Sequence, residues 1–544
     1  MSRLTFFSLV LLCAGAARAQ FGRGGGEWST AGGDAHRSSW VPTDPKISRE
    51  SLQKGGFQLT WKVKLNNEPK GLNGLTPPTL LDRYIGIHGF RSYGFVAGSS
   101  DNVYAIDTDL ARIDWQARFA SQSPMHDASL TCPGGMTTGT ARSVSTAFGA
   151  PPSGRGGGGF GRGSAAKSGV GDPGQGAVIL AELEARAAAA ASTAGRGGPG
   201  GRGFGGSRER VAIVVDALSS DGMLHTMWVA NAHEPDPPVK FLPPNANAEG
   251  LIIVDNTAYV ATTGGCGGVP NGIWALNLAS KQVTSWETNS GGVAGSAGPA
   301  FGPDGTVYVA TTTGDLVALE AKTLKVKDVY RAGSEFTSSP VVFAQKERTL
   351  VAAATQDGRI HLLDTAPTLK AVFQTPAYTK AADFTVGALA TWQDAGGAQW
   401  LLAPAAGPVS ADANFTPTNG NVTNGAVVAW KVAPANDRFA LQPGWVSRDL
   451  VSPLTPLVVN GVIFAVSSGE FRTSDAKMTA AQRAQRSVPA IIYALDSATG
   501  KELWNSGKTI TSFTHGGGLS AGGAQVYLGT HDGTLYAFGF PIEH

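Results

Sequence analysis

IIYALDSATGKELW, Ile491 to Trp504, is the stretch that decides the fold. Ile491, Tyr493 and Leu495 alternate with smaller or polar neighbours, the period of two that suits a pleated strand. Asp496, Ser497, Thr499 and Gly500 supply turn chemistry, and Gly500 can take the positive φ that closes the corner. Lys501 to Trp504 then restart an extended segment that ends in a large aromatic. Weaker copies recur: VYAIDTDLARIDW ends at Trp115, IWALNLASKQVTSW at Trp286, LVALEAKTLKVKDVY at Tyr330 and VVAWKVAPANDRFALQPGW at Trp445. Repeats at about 40 residues, each of four short strands, are the mark of a β-propeller.

Ala494, Asp496, Thr499, Gly500, Lys501 and Trp504 together resemble the tryptophan-docking repeat of the quinoprotein (PQQ-type) propellers. The copy at Ala105, Asp107 and Trp115 lacks the Thr-Gly pair. The copy at Ala275, Asn277 and Trp286 is one residue longer and carries Asn for Asp. Trp28, Gly33, Asp34 and Arg37, within the polar lead-in of residues 20–55, resemble the opening segment of many PQQ-repeat proteins. The resemblance implies an all-β, eight-bladed ring of four-stranded antiparallel blades over residues 56–544, with seven the alternative count. Phe57 to Leu65 alternates cleanly around Trp61 and is expected to complete the last blade, which begins near Ile510 and lacks a fourth strand of its own. Ring closure of this kind removes exposed sheet edges.

Of the 544 residues only 15% are charged, and 73 are Gly. Arg3, the apolar run Leu4 to Cys13 and the small-x-small site Ala17-Arg18-Ala19 predict a signal peptide cleaved after Ala19. The run is too short to span a bilayer, and Leu11-Leu12 before Cys13 does not suit lipid attachment. Cleavage leaves 41 basic and 41 acidic residues, a neutral balance that argues against nucleic acid as a partner. The chain is therefore read as periplasmic or secreted, monomeric and without a transmembrane segment. In an oxidising compartment the two remaining cysteines, Cys132 and Cys266, are expected to form a disulfide. Residues 149–208, with GRGGGGFGRG and GPGGRGFGG, interrupt the second blade with material that cannot bury enough apolar surface to order itself.

In a propeller the loops leading into each innermost strand, and those joining second to third strands, gather at one channel mouth. His126-Asp127, Asp383 and His515 fall in the first set and are the weak catalytic candidates, since a His beside carboxylates serves as base or metal ligand. The Asp-Gly pairs at Asp221, Asp357 and Asp532 are hairpin turns rather than acids at work. Asp412, Asn414, Asn419, Asn421 and Asn424 are oxygen-bearing, but their spacing matches no calcium loop. Catalytic members of the resembling family bind PQQ and calcium in the channel, with a carboxylate and an amide as ligands, an Asp base and, in many members, adjacent cysteines. The inner strands SPVVF, GPAF, GALA and LTPLVV carry no such set, and no metal site is assigned. Two readings stay open: an exported binding or scaffolding propeller taking a protein, glycan or small molecule at its mouth, or a PQQ- and calcium-dependent dehydrogenase of alcohols or sugars.

Overall fold

The computed structural model describes residues 28–86, 89–120, 131–148, 214–380, 385–436, 438–473, 475, 477–516 and 518–541. Its strands form eight blades around one axis. Blade 1 holds Thr79–Gly86, Gly89–Gly98, Asn102–Asp107 and Arg112–Arg118, paired in sequence order from the inside out. Blades 3 to 7 follow the same plan, their innermost strands starting at Asn247, Ala300, Val341, Ala390 and Leu457. Blade 8 takes Ser520–Gly522, Gln525–Gly529 and Thr534–Gly539 from the C-terminal end. Its outermost strand is Gln58–Lys64, antiparallel to Thr534–Gly539 with Trp61 opposite Ala537. The count is eight, and the ring closes as the alternation around Trp61 predicts.

Blade 2 departs from four clean strands. It keeps Val214–Leu218, Met223–Trp228 and the two-residue Val239–Lys240. Pro237 and Pro238 carry no N–H, which shortens this outer strand. Its inner position is reduced to a bridge between Ala141 and Asp216, while Ser143–Val144 pairs parallel with Ile253–Val254 of blade 3. The described part of this blade ends at Phe148 and resumes at Val214. The signal peptide and the 149–208 insertion lie outside the described residues.

The core is a ring of layers between blades. Because successive side chains of a strand point to opposite faces, Ala258 and Val260 pack toward blade 2 while Tyr259 and Ala261 pack toward blade 4. Both faces of each sheet are thus buried, which is why the strands read as nearly continuous apolar runs. The repeat's aromatics lock neighbours together. Trp445 of blade 6 donates its indole N–H to Ser497 O of blade 7 at 2.9 Å and lies over Gly500. Gly500 has φ 68°, and a Cβ there would meet Trp445 Cδ2 at 2.7 Å, so the turn of one blade is the seat for the tryptophan of the one before. Trp115 binds Val229 O at 2.8 Å, Trp61 binds Thr108 O at 3.0 Å, and Trp504 meets Phe538 edge-on. Trp286 packs on the layer between blades 3 and 4.

Candidate functional site

The floor of the channel is built by the lead-in. Trp28 O accepts from Leu80 of blade 1, Ser29 O from Arg142 of blade 2, and Thr30 donates to Leu251 O of blade 3. Ala35, His36, Ser38 and Ser39 then accept from Phe301, Val342, Thr391 and Val458, one in each of blades 4 to 7. Innermost strands present unpaired backbone groups to the axis, and this segment satisfies them in turn. At its centre Arg37 is 1% exposed. Its guanidinium donates to Pro299 O at 2.9 Å, Gly250 O at 2.8 Å, Ala31 O at 2.6 Å and Thr30 Oγ1 at 2.9 Å. Burial pulls the Arg37 pKa down and Asp34 partly restores it, and the group stays charged at neutral pH. The residues that carried the sequence resemblance therefore plug the ring.

Above the plug, the chain fills its own channel along blades 4 to 6. Ser296 N donates to Gly387 O at 3.2 Å, linking blade 4 to blade 6, and Gly387 N donates to Thr337 O of blade 5 at 3.1 Å. Gly295 sits at φ 80°, where any Cβ would collide with Ser339 N and Gly387 O. On the neighbouring wall, Glu249 keeps some contact with solvent deep among protein atoms, and burial pushes its carboxyl up to about 7.

The opposite end is the mouth. There Glu470, 1% exposed, accepts from His515 Nδ1 at 2.9 Å through Oε2 and from Arg483 at 2.6 Å through Oε1, with Arg472 Nε 3.5 Å away. Burial alone would raise the Glu470 carboxyl, but the His515 hydrogen bond and the charges of His515, Arg472 and Arg483 outweigh it and hold the pKa at about 2. His531 stacks on Phe513 with ring centroids 4.4 Å apart and reaches Gly71 O at 3.2 Å. Burial lowers its pKa. Cys132 and Cys266 are bridged, tying the inlet of blade 2 to the second-to-third-strand loop of blade 3.

Of the candidates singled out in the sequence, only His515 is among the described residues; His126, Asp127 and Asp383 lie outside them. Its partner Glu470 was not singled out, although it sits in the long loop Ser467–Pro489. An ionisable residue at the start of a long loop after an apolar strand was the available signal. Glu249, at the head of an inner strand, was also missed. The turn carboxylates Asp357 and Asp532 bind their own turns, accepting from Thr355 and Thr530 at 2.6 Å each, whereas Asp449, at the inlet of blade 7, accepts from the amides of Thr423 and Asn424 in the adjacent loop of blade 6. In blade 2, Ser219, His225 and Glu234 form a relay, with Ser219 Oγ 3.0 Å from Nε2 and Glu234 2.6 Å from Nδ1. It resembles a nucleophile–base–acid set, yet Ser219 is 3% exposed and its hydroxyl closes the same turn as Thr355 and Thr530. It is a structural brace.

For PQQ and calcium, implied by the resemblance, the described residues offer no matching set: backbone at Ser296, Thr337 and Gly387 bridges blades 4 to 6, and among the described residues no three His, Cys, Asp or Glu side chains gather where they could hold an ion.

No family model and no curated protein matches the sequence. Among solved structures the chain is similar to the quinohemoprotein alcohol dehydrogenase of Comamonas testosteroni, at 14% identity and TM-score 0.57 over 95% of this chain and 81% of that one. It is also similar to quinohemoprotein alcohol dehydrogenase ADHIIG of Pseudomonas putida HK5 (13%, 0.55, 95% and 82%) and to a europium-containing methanol dehydrogenase (12%, 0.52, 94% and 98%). At these identities the likeness establishes the fold alone, an eight-bladed β-propeller.

Proposed function

We propose that this chain is an exported binding or scaffolding propeller whose working surface is the channel mouth, where it takes a protein, glycan or small-molecule partner. One observation supports the reading: the lead-in seals the floor, and backbone at Ser296, Thr337 and Gly387 bridges the inlets of blades 4 to 6, so a partner would meet the remaining loops of the mouth. Export rests on the Ala17–Ala19 cleavage signal, and no helix among the described residues is long and apolar enough to cross a membrane. The alternative, a PQQ- and calcium-dependent dehydrogenase, draws on the fold likeness and on Glu249, a carboxyl at the head of an inner strand that burial brings near neutrality, as a general base requires. Incubating the purified protein with PQQ and either Ca²⁺ or a lanthanide, then following dye-linked oxidation of alcohols and sugars, separates the two. The scaffold reading expects no turnover above a protein-free control. Saturable turnover overturns it.

A further inference from the structure

We propose that the Glu470 carboxylate is a receptor for an arginine side chain of a binding partner, and that Arg483 fills it as a built-in stand-in while the mouth is empty. The proposal deepens the mouth-binding reading and rests on it. Arg483 belongs to the helix Ala480–Arg486, none of whose residues is buried. Seven residues are too few for a helix to hold together alone in water, and with no apolar face covered, hydrophobic burial does not fix it in place. What fixes it is a pad around Phe471. The Phe471 carbonyl accepts from Arg483 Nε at 3.2 Å, its N–H donates to Ser487 Oγ at 2.9 Å, and its ring carries the Arg486 guanidinium 5.4 Å from the centroid. Arg483 then completes the contact on Glu470 Oε1 at 2.6 Å.

A fully buried carboxylate beside an aromatic ring and a main-chain carbonyl that accepts from an arginine is the chemistry that recognises a guanidinium: one charge-assisted bond, one carbonyl acceptor and one π face. Other mouth carboxylates differ. Asp449 is held by the amides of Thr423 and Asn424 and by the Asn424 side chain, Asp357 by Thr355 and Arg359, and Asp532 by Thr530 and Lys64, with both of the last two carboxylates partly exposed. Glu470 is fully buried among His515, Arg472 and Arg483, and Arg483 rides a helix with no buried residue. His515 and Arg472 stay on Oε2, so displacement of Arg483 leaves the carboxylate oriented with Oε1 released. A partner's arginine can thus take the place of Arg483 with the Glu470 charge paired before and after the exchange, at the cost of lifting the 480–486 helix.

The test uses the full exported chain and two probes, N-acetylarginine amide and its neutral isostere N-acetylcitrulline amide, titrated calorimetrically against wild type, Arg483→Ala and Arg483→Ala/Glu470→Gln. The proposal expects Arg483→Ala to bind the arginine probe at least tenfold more tightly than wild type, with no gain for citrulline, and the double variant to lose the gain. Should Arg483→Ala fold poorly, wild type serves: saturating arginine amide, unlike citrulline amide, speeds deuterium exchange of the 480–486 amides at least threefold. Equal binding of the two probes, or helix exchange unmoved by arginine, overturns the proposal while leaving scaffolding through other mouth loops standing. Quinone turnover would do the reverse.

Discussion

Replacing Arg37 by Met keeps an unbranched stem, shortens the side chain and removes the guanidinium donors at the centre of the floor. Three backbone carbonyls, Ala31, Gly250 and Pro299, lose a charged partner in a region closed to water, and Thr30 loses its contact as well. Each orphaned buried acceptor costs about 1–3 kcal/mol. The sum is reduced because the guanidinium itself is desolvated, as the direction of its pKa change indicates, and the variant escapes that penalty. A net loss of about 3–5 kcal/mol follows, the range seen when one partner of a buried ionic contact is removed. Arg37→Lys keeps the charge but presents a single ammonium to four acceptors, and it is expected to lose roughly half as much. Guanidinium chloride unfolding followed by tryptophan fluorescence measures both variants, with deuterium uptake at Gly250–Leu251 and Phe301 as a local readout. An Arg37→Met midpoint that implies less than about 1 kcal/mol, with those amides still protected, refutes the plug argument.

Three further outcomes are expected. Gly500→Ala forces a Cβ into Trp445 at a positive φ and should cost about 2–4 kcal/mol with a changed near-ultraviolet signal from that tryptophan; unaltered stability would contradict the docking account. The Glu470 carboxyl, ordinarily near 4.5, is held at about 2, so its contribution of roughly 3 kcal/mol is fully present above pH 4.5 and is lost as pH falls toward 2. Glu470→Gln should flatten that part of the stability profile, and identical profiles for the two proteins would sink the assignment. Cys132 and Cys266 are 134 residues apart, so Cys132→Ser should lower stability by about 2–5 kcal/mol in unfolding experiments, and no change would mean that the bridge closes no loop that matters.

The fold was legible because it rests on local signals repeated around the ring. Turn residues at Asp496 to Gly500 and alternation at Phe57 to Leu65 report nearest-neighbour geometry, which sequence carries directly. The plug was half legible. Trp28, Gly33, Asp34 and Arg37 stood out as a motif, but their role depends on carbonyls up to 262 residues away, at Pro299 and Gly250. Glu470 could be placed at the start of a long loop, but its burial was hidden for the same reason. Nothing in SSGEFR distinguishes a buried carboxylate from a solvated one until His515 and Arg483 arrive from 45 and 13 residues along the chain. Among the described residues blade 2 shows only the Ala141–Asp216 bridge at its inner position, which the alternation of Val214 to Leu218 does not record.

The central claim is that residues 28–41 seal the ring from below, leaving the mouth as the working surface. Hydrogen–deuterium exchange of the intact protein tests it most directly. The account predicts that the Phe301, Val342, Thr391 and Val458 amides, each bonded to the lead-in, exchange as slowly as the central strands of their own blades. Exchange of those four amides within seconds, while the flanking strands stay protected, would contradict it.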